Sequence, residues 1–355
     1  MTNDVQSVSG FCVPGTLRPK NEFKFQHPGT LMSPGMAQRL HDDAKANPVR
    51  QKALDKLIKD TPLSYKPQAL ATVNVTWNGV GCGHKECTTD GQMAYQSALL
   101  HLATRKNEYR DLSIAILKAW AGTNTVFKGE NAPLEAAWCM GAMSRAAELL
   151  KHTPSSMQQW KSIEPLFLSW LNNIMMPVLK EPSIWRWNIV NNWHYSIIDA
   201  RMQIAILRDD YDELQWCIKT YQSSLEKTLC KQHECHTCET KRDVTHFQFL
   251  LGGLCQIPEM AWHQGINLYI PRMCKVVEYH AAIMLKEVPD GLTREDIKTP
   301  YGYWYEPVWE IPYNHYTKRC KQPMPKTEKW LQTFRPERVC FQWGAGTLTH
   351  FDRVT

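Results

Sequence analysis

The 355 residues are enough for one large domain or two, and an apolar content of 43% supplies ample material for a core. Charged residues make up 21% and are spread along the chain, which excludes general disorder outside the start. The net charge of +6 suits an anionic ligand, but Lys and Arg form no nucleic-acid tract. No apolar run reaches the roughly 18 residues of a membrane span.

The start, MTNDVQSVSGFCVPG, is polar and has no apolar signal region. That leaves either an intracellular chain or one whose signal has been removed. Residues 1–34 hold Gly and Pro with few periodic apolar positions, and read as an irregular arm on the body. His27, in Phe25-Gln26-His27-Pro28-Gly29, reads as a surface-loop histidine. Residues 35–355 read as a single domain. From Ser33 the pattern is helical, with Met36, Leu40, Ala44, then Ala53, Leu54, Leu57 and Ile58 recurring at three and four. Residues 60–90 read as a long functional loop, with Trp77, Asn78 and His84 as candidates to face a groove.

Helices then follow in succession, at 90–105, 108–121, 133–151, 157–179, 211–229, 246–266 and 270–286. Strand signals are almost absent before residue 300. The helices pair through short loops, which predicts an all-α array of helical hairpins, either an open solenoid or a closed ring. Residues 287–355 are loop-rich and read as a wall closing one face.

Twelve Cys do not fix the compartment of a chain this long. Cys139, Cys217, Cys255 and Cys274 read as packed thiols. The loop cysteines Cys82/Cys87 read as a disulfide or free thiols, and Cys230/Cys235/Cys238, whose spacing fits no standard zinc finger, as a disulfide or plain loop. No metal or cofactor is expected. Asn74-Val75-Thr76 is a glycosylation sequon, relevant only to a secreted chain.

The chemistry concentrates in Trp185 to Asp210. Trp185, Trp187, Asn191, Asn192, Trp193, His194 and Tyr195 precede an apolar helix. Indoles stack on sugar rings, and amides bond hydroxyls and carboxylates. A buried helix start with ordinary indole packing is an equally good reading. Two later stretches bear matching groups: Arg242 to His246, and Tyr305 to Tyr316. Glycoside hydrolysis needs a carboxylate pair, for which Glu306 and Glu310 are candidates. Elimination from a uronate instead needs cations or amides to offset the carboxylate charge, with a base for the C5 proton and an acid for O4. The Asn, Arg, His and Tyr groups here fit that second demand.

These stretches resemble the alginate-lyase superfamily of polysaccharide lyases. The resemblance rests on Asn191-Asn192-Trp193 before the helix from Asp199 to Ala205. It continues in Arg242-Asp243-x-x-His246 leading into LGGLCQIPEMAWHQGINLY, and in WEIPYNHY from Trp309 to Tyr316. TTDGQMAYQSALL from Thr88 and APLEAAW from Ala132 add to it, so that roughly residues 75–350 are covered. It implies an (α/α) toroid, β-elimination on a 1,4-linked polyuronate such as glucuronan or alginate, an acidic polysaccharide as partner, and an exported protein. Asn191, Asn192 and Arg242 would neutralise the substrate carboxylate, and His246 or His194 would assist or act as base. Tyr305 would serve as acid and base, with Trp185, Trp187, Trp193, Tyr313, Asn314, His315 and Tyr316 binding substrate. Some relatives read Asn-Asn-His where this chain has Asn192-Trp193-His194, which weakens the role of His194. Glycoside hydrolysis and non-catalytic polysaccharide binding on the same toroid are the rival functions.

Overall fold

The computed structural model describes residues 17–76, 81–181 and 190–352. Helix starts are set by local chemistry. Ser33 caps α1 (Pro34–Ala46) and Asn47 caps α2 (Pro48–Asp60), each followed by a proline at the first helical position. Next come α3 (His84–Thr104), α4 (Asn107–Thr123), α5 (Ala132–His152) and α6 (Met157–Trp170). Then follow α7 (Asn192–Leu207), α8 (Tyr211–Thr228), α9 (Val244–His263) and α10 (Pro271–Met284). The C-terminal wall carries α11 (Glu310–Asn314), α12 (Pro325–Phe334), and the hairpin of β3 (Val339–Cys340) with β4 (Trp343–Gly344).

The architecture is an (α/α) toroid. Its inner layer is α3, α5, α7 and α9, each packed on the next, while α4, α6, α8 and α10 return outside them. Inner helices are buried on all sides, so their apolar residues show no single stripe. Every residue of α5 from Ala132 to Leu150 is buried. Outer helices keep one apolar face, as in α4 with Tyr109, Leu112, Ile116, Leu117 and Trp120. In α6 the inward residue is Phe167, and Leu166 points outward. A π-turn at Leu171–Met175 then rotates Leu171 and Met175 back onto the core.

Each inner helix is followed by a returning one, so the inner helices run parallel. Asn192 at the start of α7 meets Glu239 just before α9, and Lys151 at the end of α5 donates to the Leu207 carbonyl at the end of α7. Close approach sets the spacing of α7 and α9: a Cβ on Gly253 would lie 2.5 Å from that of Tyr195. The hairpin inserts Gln342 into the ring, where its amide donates to Asp199 Oδ1 at 3.0 Å and to the Ser196 carbonyl at 3.3 Å. Asp199 is thus a buried structural group, as its mid-helix position suggests.

Two sequence expectations change. The 60–90 region is not a plain loop: β1 (Thr72–Asn74) pairs in parallel with β2 (Val126–Lys128), and α3 already begins at His84. Trp77 and Asn78 lie outside the described residues. Cys139 is not a free packed thiol; it is bonded to Cys87 across the facing surfaces of α3 and α5, while Cys82 stays unpaired. Of the two readings for Cys230, Cys235 and Cys238, the structure has the plain loop: all three are unpaired thiols.

The arm, described from Leu17, closes the end of the ring where the inner helices finish. Gln264 bonds Gln26 and Gly29, His263 donates to the Thr30 carbonyl, and Tyr211 donates to the Arg18 carbonyl. His27 is more than a surface-loop histidine. Its Nδ1 lies 2.7 Å from Glu148 Oε1 and its Nε2 lies 2.7 Å from Asp209 Oδ1. Two carboxylates can both be satisfied only by an imidazolium. Burial opposes that charge, but Glu148 and Asp209 outweigh it and raise the His27 pKa above 6.5.

A raised folded-state pKa stabilises below the unfolded value of 6.5, and the gain is lost as pH rises through the folded value. Thermal melts across that range test this. His27→Gln should lower Tm by about 2–4 °C below pH 6.5 and converge on the parent chain at alkaline pH. An offset independent of pH would show that His27 acts only by packing.

Candidate active site at the helix starts

The starts of α7 and α9 lie side by side, and their capping residues build the site. Asn191 Oδ1 accepts from the backbone N–H groups of Trp193 (3.1 Å) and His194 (3.4 Å). Asn192 donates from its backbone (3.2 Å) and side chain (2.8 Å) to Glu239 Oε1. At α9, Asp243 Oδ1 accepts from Thr245 N at 2.9 Å and His246 N at 2.8 Å. Its other oxygen lies 2.7 Å from His246 Nδ1.

That last contact fixes the chemistry of His246. A carboxylate only accepts, so Nδ1 carries hydrogen, and in the neutral ring the lone pair falls on Nε2. Nε2 is 3.4 Å from Arg242 Nη2. The Arg242 side chain is 52% exposed, and its Nε stands 4.0 Å from Glu239 Oε2. Asn192, Glu239, Arg242, His246 and Asp243 therefore form one continuous polar chain. Two helix N-termini add positive potential, each equivalent to about half a charge.

An aromatic wall borders this chain. Trp138 of α5 stacks on Phe341 of the hairpin turn, with centroids 4.3 Å apart. Phe249 of α9 lies 5.5 Å from Trp138 and 5.9 Å from the His246 ring. A basic nitrogen, a guanidinium and flat apolar faces suit an anionic sugar whose proton is to be removed.

The fold brings together Asn191, Asn192, Arg242 and His246, although both amides are engaged in the helix starts. Trp193 is half-buried at the same turn. His194 turns inward: its Nε2 sits 2.6 Å from Ser224 Oγ, and burial pushes its pKa down to about 4. Trp185 and Trp187 lie outside the described residues.

The Tyr305–Tyr316 stretch does not join this site. Tyr305 donates to Glu337 Oε1 at 2.7 Å and stacks on Phe334; burial, then Glu337, raises its phenol well above 10. Arg335 pulls the other way, but burial and Glu337 outweigh it, so the phenol is not poised as an acid–base group. Asn314 donates to the His350 carbonyl, His315 stacks on Tyr269, and Tyr316 donates to the Ile270 carbonyl. All three are buried core residues, and burial drives His315 to about 3. Tyr313 is partly buried on a separate surface beside Thr317 and Glu328, under the Arg335 guanidinium. The amphipathic aromatics of this segment serve packing, which periodicity in so short a helix cannot reveal. Glu306 is buried, with its carboxyl raised to about 7, and Glu310 is forked by Arg335 at 2.7 and 2.8 Å. These two acids do not present an open hydrolytic pair.

Sequence reasoning assigned no site role to Glu239, Trp138, Phe249 or Phe341, and did not recognise Asp243 as the group that orients His246. Asp243 had a legible signal, an Asp three residues before His at a helix start. The aromatics had none, since they converge from three separate elements. Among the described residues, metal-compatible triads are His27, Glu148, His152 and Glu259, His263, His350. Neither includes a residue of this site. In the second, Arg319 already covers both Glu259 oxygens at 2.7 Å.

A family model described as Alginate lyase matches residues 44–288. Alginate lyase A1-III complexed with a tetrasaccharide superposes with a TM-score of 0.68 at 14% identity, covering 96% of this chain and 100% of that one. Alginate lyase A1-III from Sphingomonas species A1 gives 0.67 at 14% identity, covering 96% and 100%. An alginate lyase from Bacteroides ovatus gives 0.58 at 12% identity, covering 92% and 100%. At these identities the likeness speaks for the fold. No curated protein matches the chain.

Removing the double role of Asp243 has separable effects. Asp243→Ala should destabilise the chain by about 0.5–2 kcal/mol through the lost cap. Asp243→Asn should retain most of that stability but disturb the His246 tautomer, read from imidazole nitrogen shifts by NMR. An unchanged tautomer in Asp243→Asn would remove Asp243 as the orienting group.

Proposed function

The chain belongs to the alginate lyase family and is a polysaccharide lyase; on that premise we propose that it cleaves a 1,4-linked polyuronate, alginate or glucuronan, by β-elimination with His246 as base. The observation that carries this is the His246–Asp243 contact, with Nε2 beside Arg242 at the start of α9.

The C5 proton of a uronate is weakly acidic because the adjacent carboxylate is already negative. Arg242 and the α7 and α9 starts offset that charge, so that an enolate-like intermediate can form. His246 Nε2 takes the C5 proton, the C–H electron pair becomes the C4–C5 double bond, and the C4–O4 bond breaks. The imidazolium, stabilised by Asp243, then returns the proton to O4. In mannuronate and glucuronate the C5 proton and O4 lie on one ring face, so a single imidazole serves both steps. This favours those two uronates over guluronate, whose groups lie on opposite faces. Asn192 holds Glu239, and Glu239 positions Arg242. The Trp138–Phe341–Phe249 wall shields the imidazole and offers flat faces to sugar rings.

An acidic extracellular polysaccharide is the proposed partner, and a secreted location is part of the same reading. The Cys87–Cys139 disulfide supports it, since such bonds persist in oxidising compartments.

Incubation with polymannuronate and with glucuronan should raise the ultraviolet absorbance of a C4–C5 unsaturated product. His246→Ala should lower kcat by about 10²–10⁴, and Arg242→Ala should raise KM and lower kcat together. Reducing ends without the absorbance would establish hydrolysis instead. Binding without turnover on either polymer would establish a non-catalytic binding protein.

A further inference from the structure

A cavity of about 330 Å³ lies along the 303–305 segment, which α9 holds through Gln248. Its lining includes Lys56, Tyr303, Trp304, Phe334 and Arg338. The volume lies at the small end of the range for ligand pockets. Its floor is aromatic and its two charged residues are both cations.

Trp304 is the exposed tryptophan among the described residues, with 50% of its surface open. Its backbone is nevertheless held firmly. Gln248, fully buried in α9, donates to the Trp304 carbonyl at 2.8 Å and accepts from Glu306 N and the Trp309 indole at 3.1 Å. Gln248 lies two residues after His246. The helix that carries the base therefore also fixes the indole.

Arg338 lies over one face of that indole, 4.8 Å from the ring centroid. No carboxylate among the described residues forms an ion pair with it, and the carboxyl it pulls on, Glu306, is buried. Arg338 also leads into the strand whose turn places Phe341 on Trp138. Lys56, also in the lining, is paired with Asp60 at 2.7 Å. The Trp304 and Arg338 side of the cavity is thus tied to α9 and the hairpin, which build the first site, whereas Lys56 comes from α2.

We propose that this cavity is a distal subsite for a further uronate residue of the same polysaccharide chain. The sugar ring packs on the exposed indole of Trp304, and its carboxylate takes the guanidinium edge of Arg338. Stacking fixes the guanidinium plane beforehand, so less freedom is lost on binding. The inference rests on the polyuronate reading above and adds where a long chain gains affinity away from the bond being cut.

The test uses oligouronates of increasing length, with Trp304→Ala and Arg338→Gln in the full chain. For long oligomers each variant should raise KM about tenfold, the effect of losing one charge-assisted contact, with kcat unchanged. For the shortest cleaved oligomer both constants should match the parent. Trp304→Phe, which keeps an aromatic face, should fall between. Quenching of tryptophan fluorescence by a long oligouronate should weaken in Arg338→Gln, which reads binding without turnover. Parent-like KM at every length in both variants, or equal quenching in the parent and Arg338→Gln, overturns the subsite. Failure of the parent chain to cleave any polyuronate overturns the lyase reading instead, and the quenching comparison still decides the cavity.

Discussion

The Asp243 carboxylate is the point on which the site depends. One oxygen satisfies the first free N–H groups of α9, and the other orients the His246 ring. The two tasks reinforce each other, because the helix start that needs an acceptor also adds positive potential where an anion is to bind. Once α9 begins there, its next residues are committed: Gln248 reaches the 304–309 segment and Phe249 enters the aromatic wall. A helix cap thereby sets the orientation of His246, the proposed base, together with the aromatic wall and the anchoring of the 304–309 segment.

The toroid supplies the rest of the electrostatics. Its inner helices are parallel because each is separated from the next by a returning outer helix, so their N-termini collect at one end. α7 links the two halves of the core. Ile197, Ala200, Ile204 and Leu207 face one side, and Ile198, Met202, Ala205 and Ile206 face the other. At the opposite end the helix C-termini gather, where positive charge is favoured. That is where His27 sits between Glu148 and Asp209 and holds the arm.

Several buried titrating groups outside the site are locked in pairs. Arg319 forks onto Glu259, Arg335 forks onto Glu310, and Tyr305 donates to Glu337. Removing one member of such a pair leaves a charge without compensation, which is why they read as structural. His246 and Arg242 differ because they meet each other by one long contact and stay partly exposed at the helix starts. Chemistry falls to the groups that the packing leaves partly exposed.

By itself the sequence determined the helical hairpins, the loop-rich wall, the family, and the grouping of Asn191, Asn192, Arg242 and His246. Capping residues and helical periodicity act over a few residues and can be read locally. It did not determine which aromatics line the site, because Trp138, Phe249 and Phe341 come from α5, α9 and the hairpin. Nor did it separate Tyr305 and His315 from groove residues, since a phenol or imidazole looks the same in a chain whether it faces a ligand or a buried carboxylate. The pairing of Cys87 with Cys139, 52 residues apart, likewise required the register of α3 on α5. Such contacts depend on helices meeting across the ring, and only the tertiary structure decides that meeting.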